Sequence, residues 1–170
     1  SPQSLWFNTT WTVATEHRFT GLRPYTLYNL TVYVKNKNTK EIYPPGKFII
    51  ATTAEAEPEA PWNVTAKQLT AYQVQVNWMP PHESNGPITG YSVCMTPPIP
   101  PLCKTVHGSK TQTLFDSEFT TNDNYSFWVK AMNSLYESNS SSVAVIKLDE
   151  SAHMLPIADL KVDAHTSTSV

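Results

Sequence analysis

The sequence predicts an all-β protein built from tandem β-sandwich modules. In several short segments, apolar residues alternate with polar ones, as at 74–78, 91–95 and 125–131, and this is the pattern of strands with one buried face. Clusters of Pro, Gly, Asn and Ser, such as 80–87, separate these segments and indicate turns. A third observation is an internal repeat whose period matches the size of one sandwich module.

The repeat is visible in two pairs of segments. Segment 22–36 recurs in weaker form at 119–133, at an offset of 97 residues. Segment 64–74 matches 160–170 at an offset of 96. A period of this length predicts one β-sandwich per repeat, with more than one repeat in the chain.

Within the repeat, the residues resemble the fibronectin type III family, whose modules are immunoglobulin-like β-sandwiches. The run Leu-x-Pro-x-Thr-x-Tyr at 22–28 is similar to the corner between strands E and F of such a module. The other matches are strand A at 61–64, strand B with its core Trp at 74–78, and strand C at 85–93. The resemblance implies that the hydroxyl of Tyr28 bonds the backbone of its corner, and that Tyr125 does the same although its corner lacks the proline.

Module boundaries follow from the repeat and the resemblance. We expect the C-terminal part of one module, a linker, one complete module, and a linker with the first strand or strands of a third module, at residues 1–53, 54–60, 61–149 and 150–170. The chain would therefore begin and end inside modules of a longer protein.

Charge and hydropathy exclude several functions. Charged residues make up 15% of the chain, the formal net charge is −2, and Arg occurs only at Arg18 and Arg23. No basic cluster is present that would bind a nucleic acid. No apolar run approaches the roughly 20 residues of a membrane helix, so we expect no direct membrane insertion by this region.

Five Asn residues stand in the N-x-[ST] pattern that accepts N-linked glycans: Asn8, Asn29, Asn63, Asn124 and Asn139. Chance would produce about two such patterns in a chain this rich in Asn, Ser and Thr. Strand phase favours glycosylation of these sites, because Asn29 and Asn124 each precede an inward residue and should face solvent. Sugars would also solubilise a surface that carries few charges.

The two cysteines, Cys94 and Cys103, flank a proline-rich loop that should return the chain as a neighbouring strand. Directly opposed strand positions are close enough for a disulfide. The alternative is a pair of free thiols in an intracellular protein.

Two aromatic residues are candidate protein contacts. Trp128 falls between inward neighbours in strand F and should point outward, and Tyr33 lies in the same phase between Val32 and Val34. Exposed aromatic residues are enriched at protein interfaces. Alternatively, these rings cover the stems of neighbouring lysines or pack beneath a glycan.

No catalytic, cofactor-binding or metal-binding motif occurs in the sequence, and we predict that this region is not an enzyme. The resemblance implies extracellular modules of a single-pass cell-surface receptor. They would bind a protein ligand or co-receptor and set spacing, in contact with neighbouring modules of the same protein. A cytoplasmic kinase or phosphatase would lie outside this chain.

The diverged modules are similar to those of sevenless/ROS-like receptor tyrosine kinases, and no motif separates them from receptor phosphatases, sorting receptors or adhesion proteins. One alternative function is a structural or adhesive spacer of a matrix or cell–cell adhesion protein. Another is an intracellular, muscle-type array of modules, which predicts free thiols and unused glycosylation sites.

Overall fold

A computed structural model describes residues 8–149, and the expected start of a third module at 150–170 lies outside the described residues. The chain divides into two compact units, Ser1–Ala56 and Glu57–Val170. All eleven named elements are β-strands, as the sequence predicts. Among the described residues, no helix has the length and hydropathy needed to cross a membrane.

The first unit contains two small antiparallel sheets. β1 pairs with β4, and β2 pairs with β3; the strands are β1 (Leu27–Leu30), β2 (Val34–Lys35), β3 (Ile42–Tyr43) and β4 (Ile49–Thr52). The prediction of one strand that continues past Leu30 with Val32 and Val34 buried is wrong. These two side chains are 76% and 62% exposed, so neither sheet of this unit buries them.

The second unit contains a three-stranded and a four-stranded antiparallel sheet. The first has the order β5-β6-β9 and the second the order β11-β10-β7-β8. The strands are β5 (Trp62–Thr70), β6 (Gln73–Met79), β7 (Gly90–Thr96), β8 (Leu102–His107), β9 (Gln112–Asp116), β10 (Asn124–Met132) and β11 (Ala144–Lys147). Apolar side chains on the inner faces of both sheets form one core between them.

That core comes from the alternating residues that the sequence identifies. Val74, Val76 and Trp78 project from β6 and are at most 3% exposed. The remaining buried members of the cluster are Tyr91, Val93, Met95, Phe115, Phe119, Tyr125, Phe127, Val129, Ala131 and Leu148. Because the core draws on both sheets, the second unit is a β-sandwich.

The corner before β10 has the hydrogen bond that the resemblance implies. The hydroxyl of Tyr125 accepts a bond from the backbone N–H of Thr120 at 2.9 Å. In the first unit, the Tyr28 hydroxyl accepts a bond from the N–H of Arg23 at 2.8 Å, also five residues upstream. The prediction that the second corner keeps this bond without its proline is confirmed.

Two further features repeat at the same offset. The side-chain oxygen of Asn36 accepts backbone N–H bonds from the residues two and three positions later, and Asn133 does the same. Tyr25 and Asn122, which precede the two corner tyrosines by three positions, both have a positive φ, of 42° and 65°. The repeat therefore extends from sequence to backbone conformation and hydrogen bonding.

Candidate protein-binding face

The outer face of the four-stranded sheet carries Trp128. Along β10, Tyr125, Phe127, Val129 and Ala131 enter the core, so the residues between them point outward. Trp128 is half-buried on this outer face, as its strand phase predicts. The indole is therefore free of the core and available for contact with another molecule.

A disulfide lies in the same cross-strand row as Trp128. Trp128 pairs with Cys94 on β7, and Cys94 pairs with Cys103 on β8. The two cysteines form a disulfide with a Cα–Cα distance of 4.0 Å. Cys94 points away from the core, since Val93 and Met95 enter it, yet it is only 5% exposed. Cys94 thus lies between Trp128 and Cys103 in this row and is bonded to Cys103.

Trp128 lies between an uncharged cross-strand row, which contains Ser126, and a charged position, Lys130. Ser126 pairs with Thr96 on β7 and with Val145 on β11, whose side chain is 63% exposed. On the other side of Trp128, the ammonium group of Lys130 bonds a Glu137 carboxylate oxygen at 2.6 Å. Both partners are solvent-accessible, so the pair fixes side-chain positions more than it stabilises the fold. We call the surface formed by Thr96, Ser126, Trp128 and Val145 the Trp128 face.

Tyr33, the other candidate contact, lies apart from any such surface. It is 51% exposed in the stretch between β1 and β2, where the chain is not a strand. Its expected position between two inward valines is wrong, because both valines are exposed as well. Tyr33 thus belongs to an exposed apolar segment of the first unit, not to an outward strand position.

The five Asn residues of the glycosylation patterns are all exposed: Asn8, Asn29, Asn63, Asn124 and Asn139. Asn29 and Asn124 are on the outward phase of β1 and β10. Asn63 lies at an irregularity near the start of β5, with a φ of 51°, which Asn adopts more readily than most residues. The Asn139 amide donates a 3.3 Å hydrogen bond to the Glu57 carboxylate.

Two serines outside the predicted site residues, Ser138 and Ser141, bond the backbone of β10. The hydroxyl of Ser138 accepts a bond from the N–H of Ala131, and that of Ser141 accepts a bond from the N–H of Val129, each at 2.9 Å. The backbone N–H of each serine donates back to the carbonyl of the same β10 residue. A Ser-rich run predicts only a loop, so periodicity gives no signal for this pairing.

Beneath the face, Trp78 and Tyr91 contact each other edge to face, with ring centroids 5.3 Å apart. Burial raises the pKa of the Tyr91 hydroxyl above its ordinary value. The indole nitrogen of Trp78 lies outside hydrogen-bonding geometry of every acceptor among the described residues. The two residues therefore contact each other through ring packing, and burial is the main cause of the raised Tyr91 pKa.

Comparison with known proteins identifies the fold and its relatives. The family model of the fibronectin type III domain matches residues 59–147 of this chain. Receptor-type tyrosine-protein phosphatase F of Danio rerio is 28% identical over 160 residues, which are 92% of this chain and 8% of that protein. The human cell adhesion molecule DSCAM is 29% identical over 128 residues, 75% of this chain and 6% of that protein. The chain thus spans less than a tenth of either relative.

A solved structure agrees with these matches. The extracellular domains d3-d4 of rat CD45 superpose with a TM-score of 0.70 at 18% identity, covering 86% of this chain and 76% of that one. The phosphatase activity in the name of the first relative belongs to other parts of that protein, since the region matched here is a β-sandwich. Because the family model covers more than half of the 170 residues, and the same residues form the two-sheet sandwich, the chain belongs to the fibronectin type III family.

Proposed function

We propose that this chain is part of the ectodomain of a single-pass cell-surface receptor. Its modules bind a protein ligand or co-receptor and hold that contact at a set distance from the membrane. The named relatives are a receptor-type phosphatase and a cell adhesion molecule, which supports a place among cell-surface proteins. Neighbouring modules of the same protein are the second class of partner.

The observation that carries the binding role is the Trp128 face. It presents an indole, an exposed valine and two small polar side chains on a rigid sheet, without a net charge of its own. Aromatic residues with polar surroundings are typical centres of protein interfaces. The disulfide joins β7 to β8 beside the indole and limits the adjustment that binding requires.

Two features support an extracellular location: the disulfide, and the exposure of the glycosylation sites. The Asn residues of all five patterns are exposed, so attached sugars would not displace the core. Disulfides persist in oxidising compartments and are rare in the cytosol. The intracellular array requires the same two cysteines as free thiols.

The repeated corner supports the proposed module boundaries. Residues 1–53 are the C-terminal part of a module whose β1–β4 pairing is equivalent to the pairing of β10 with β11. The linker at 54–60 then leads to the complete module at 61–149. In this proposal, the exposed apolar side chains of the first unit, such as Val32, are core residues of a module that this chain contains only in part.

The binding role is tested with the complete 170-residue chain, secreted from eukaryotic cells, enzymatically deglycosylated and tetramerised on a fluorescent streptavidin. Removal of the sugars prevents capture by cell-surface lectins. Flow cytometry measures staining of a panel of intact cells, and Trp128→Ser should lower it by about tenfold or more, as at a binding hot spot. Circular dichroism should show an unchanged fold, because the indole lies outside the core.

Tyr72→Ser is the matched control, since Tyr72 is another exposed aromatic residue, in the turn between β5 and β6. Staining should be unaffected by this change. Equal staining by the Trp128→Ser chain, or no staining of any cell type above a streptavidin blank, would contradict the binding role.

Similarity to DSCAM supports a second candidate, an adhesive spacer that contacts another copy of itself. Beads that carry the chain should then aggregate with one another. Aggregation that Trp128→Ser abolishes would favour adhesion, whereas binding to cells without bead aggregation favours the receptor.

A further inference from the structure

Asn124 and Trp128 lie on the same outward face of β10, four residues apart. At about 3.3 Å per residue, their Cα atoms are roughly 13 Å apart along the strand. The first two sugars of an N-linked glycan reach over such a distance. Ser126, the residue between them on this face, is short, so β10 itself places no bulky side chain in the path.

Lys147 on β11 lies opposite Asn124 at the start of this path, and the next cross-strand row towards Trp128 is uncharged. Val145 on β11 and Thr96 on β7 are the cross-strand partners of Ser126. Val145 is 63% exposed, and Trp128 keeps part of its indole accessible. A sugar ring has an apolar C–H face, which gains free energy when it covers apolar surface of this kind.

We propose that an N-linked glycan on Asn124 lies along β10 over Ser126 and Val145 and covers the Trp128 indole. The inference rests on the proposed extracellular function and adds a regulation of the same site. The covalent attachment provides a high effective concentration at Trp128, so a weak contact suffices. Occupancy at Asn124 then sets whether the Trp128 face is open to a protein partner.

In the attachment step, the chain supplies the Asn124 amide and the Ser126 hydroxyl, and a transferase brings the sugar on a lipid diphosphate. The side-chain nitrogen of Asn124 forms the C–N bond to the anomeric carbon of the sugar, and a lipid diphosphate is the leaving group. The nitrogen loses one proton in the step, and no oxidation or reduction takes place. The hydroxyl of Ser126 completes the pattern that the transferase recognises.

Two of the other glycosylation positions, Asn63 and Asn139, lack this arrangement. Trp62, beside Asn63, is already stacked on His82, with ring centroids 4.7 Å apart, so one ring face is occupied. Asn139 lies in the loop before β11, where its amide bonds Glu57. On β10, the glycosylation position Asn124 shares the outer face of the strand with Trp128.

Hydroxyl-radical footprinting with mass spectrometry measures the oxidation rate of each tryptophan separately. The complete chain from eukaryotic cells is compared with its Asn124→Gln variant and with the enzymatically deglycosylated chain. Trp128 should oxidise several-fold more slowly when Asn124 carries its glycan than in the Asn124→Gln variant or in the deglycosylated chain. Asn139→Gln, which removes a glycan elsewhere, should leave the rate at Trp128 unchanged.

Trp78 reports on folding in the same experiment, because it is 3% exposed and should stay protected in every form. Glycopeptide mapping first determines occupancy at Asn124. An occupied Asn124 with equal Trp128 oxidation in all forms overturns the inference and leaves the proposed extracellular function intact. An unoccupied Asn124 also overturns it, while occupancy at the other four positions decides the extracellular location independently.

Discussion

Substitution of Ser138 by Ala should destabilise the second unit, although it removes a single oxygen atom. The Ser138 hydroxyl accepts a hydrogen bond from the N–H of Ala131 at 2.9 Å and donates one to the carbonyl of Asn139 at 2.7 Å. Ala131 is 0% exposed and Ser138 is 3% exposed, so water does not reach the vacated position. Ser138→Ala leaves the Asn139 glycosylation pattern intact, which Ser141→Ala would not.

The expected magnitude follows from the buried donor. A buried backbone N–H that loses its acceptor costs about 1–3 kcal/mol of stability. The bond from the Ser138 N–H to the Ala131 carbonyl remains, so the strand pairing is weakened and not abolished. The free energy of unfolding should therefore fall by about 1–3 kcal/mol, with little change in the dependence on denaturant.

Equilibrium unfolding in urea, followed by circular dichroism, measures this difference. Ser140→Ala is the matched control, since Ser140 is exposed and lies two positions away in the same run of serines. Ser140→Ala should change the free energy of unfolding by less than about 0.5 kcal/mol, as other surface substitutions do. Equal stabilities of the two variants would refute the role of the Ser138 hydroxyl.

Three other predictions concern the corner, the core and the disulfide. Tyr125→Phe removes the acceptor for the Thr120 N–H and should lower the unfolding free energy in urea by about 1 kcal/mol, whereas an unchanged value would contradict the corner bond. Burial raises the Tyr91 pKa above 10.0, so the unfolded chain releases this proton first and stability falls as pH rises above that value. Tyr91→Phe should flatten this fall in urea titrations across pH 10, and parallel curves would be inconsistent with it. Replacing Cys94 and Cys103 together by Ala should cost about 2–3 kcal/mol for a separation of nine residues. Reductant should lower the melting temperature of the parent chain to that of this variant, and an unaffected parent chain would contradict the estimate.

The alternation of apolar and polar residues predicted which strands contribute side chains to the core. β6, β7 and β10 each carry apolar residues at every second position, and these residues are buried in the structure. The same reasoning failed after Leu30, where Val32 and Val34 have the pattern but are exposed. Periodicity identifies which face of a strand is apolar, whereas burial requires a second surface.

Polar contacts were harder to predict than the core. The family resemblance implied the corner bond of Tyr125 because the corner has a recognisable run of residues. Ser138 and Ser141 lie in a run of similar residues, and their role depends on which hydroxyl meets a β10 N–H. The outward position of Trp128 followed from strand phase, but its place beside the disulfide depended on the register of β7 and β10.

The intact mass of this chain, secreted from eukaryotic cells, tests the extracellular assignment most directly. Mass is measured before and after N-glycosidase treatment, with thiol alkylation under non-reducing conditions. We expect extra mass that the glycosidase removes, together with Cys94 and Cys103 that resist alkylation. A bare chain with two alkylated thiols would contradict the account and favour the intracellular array.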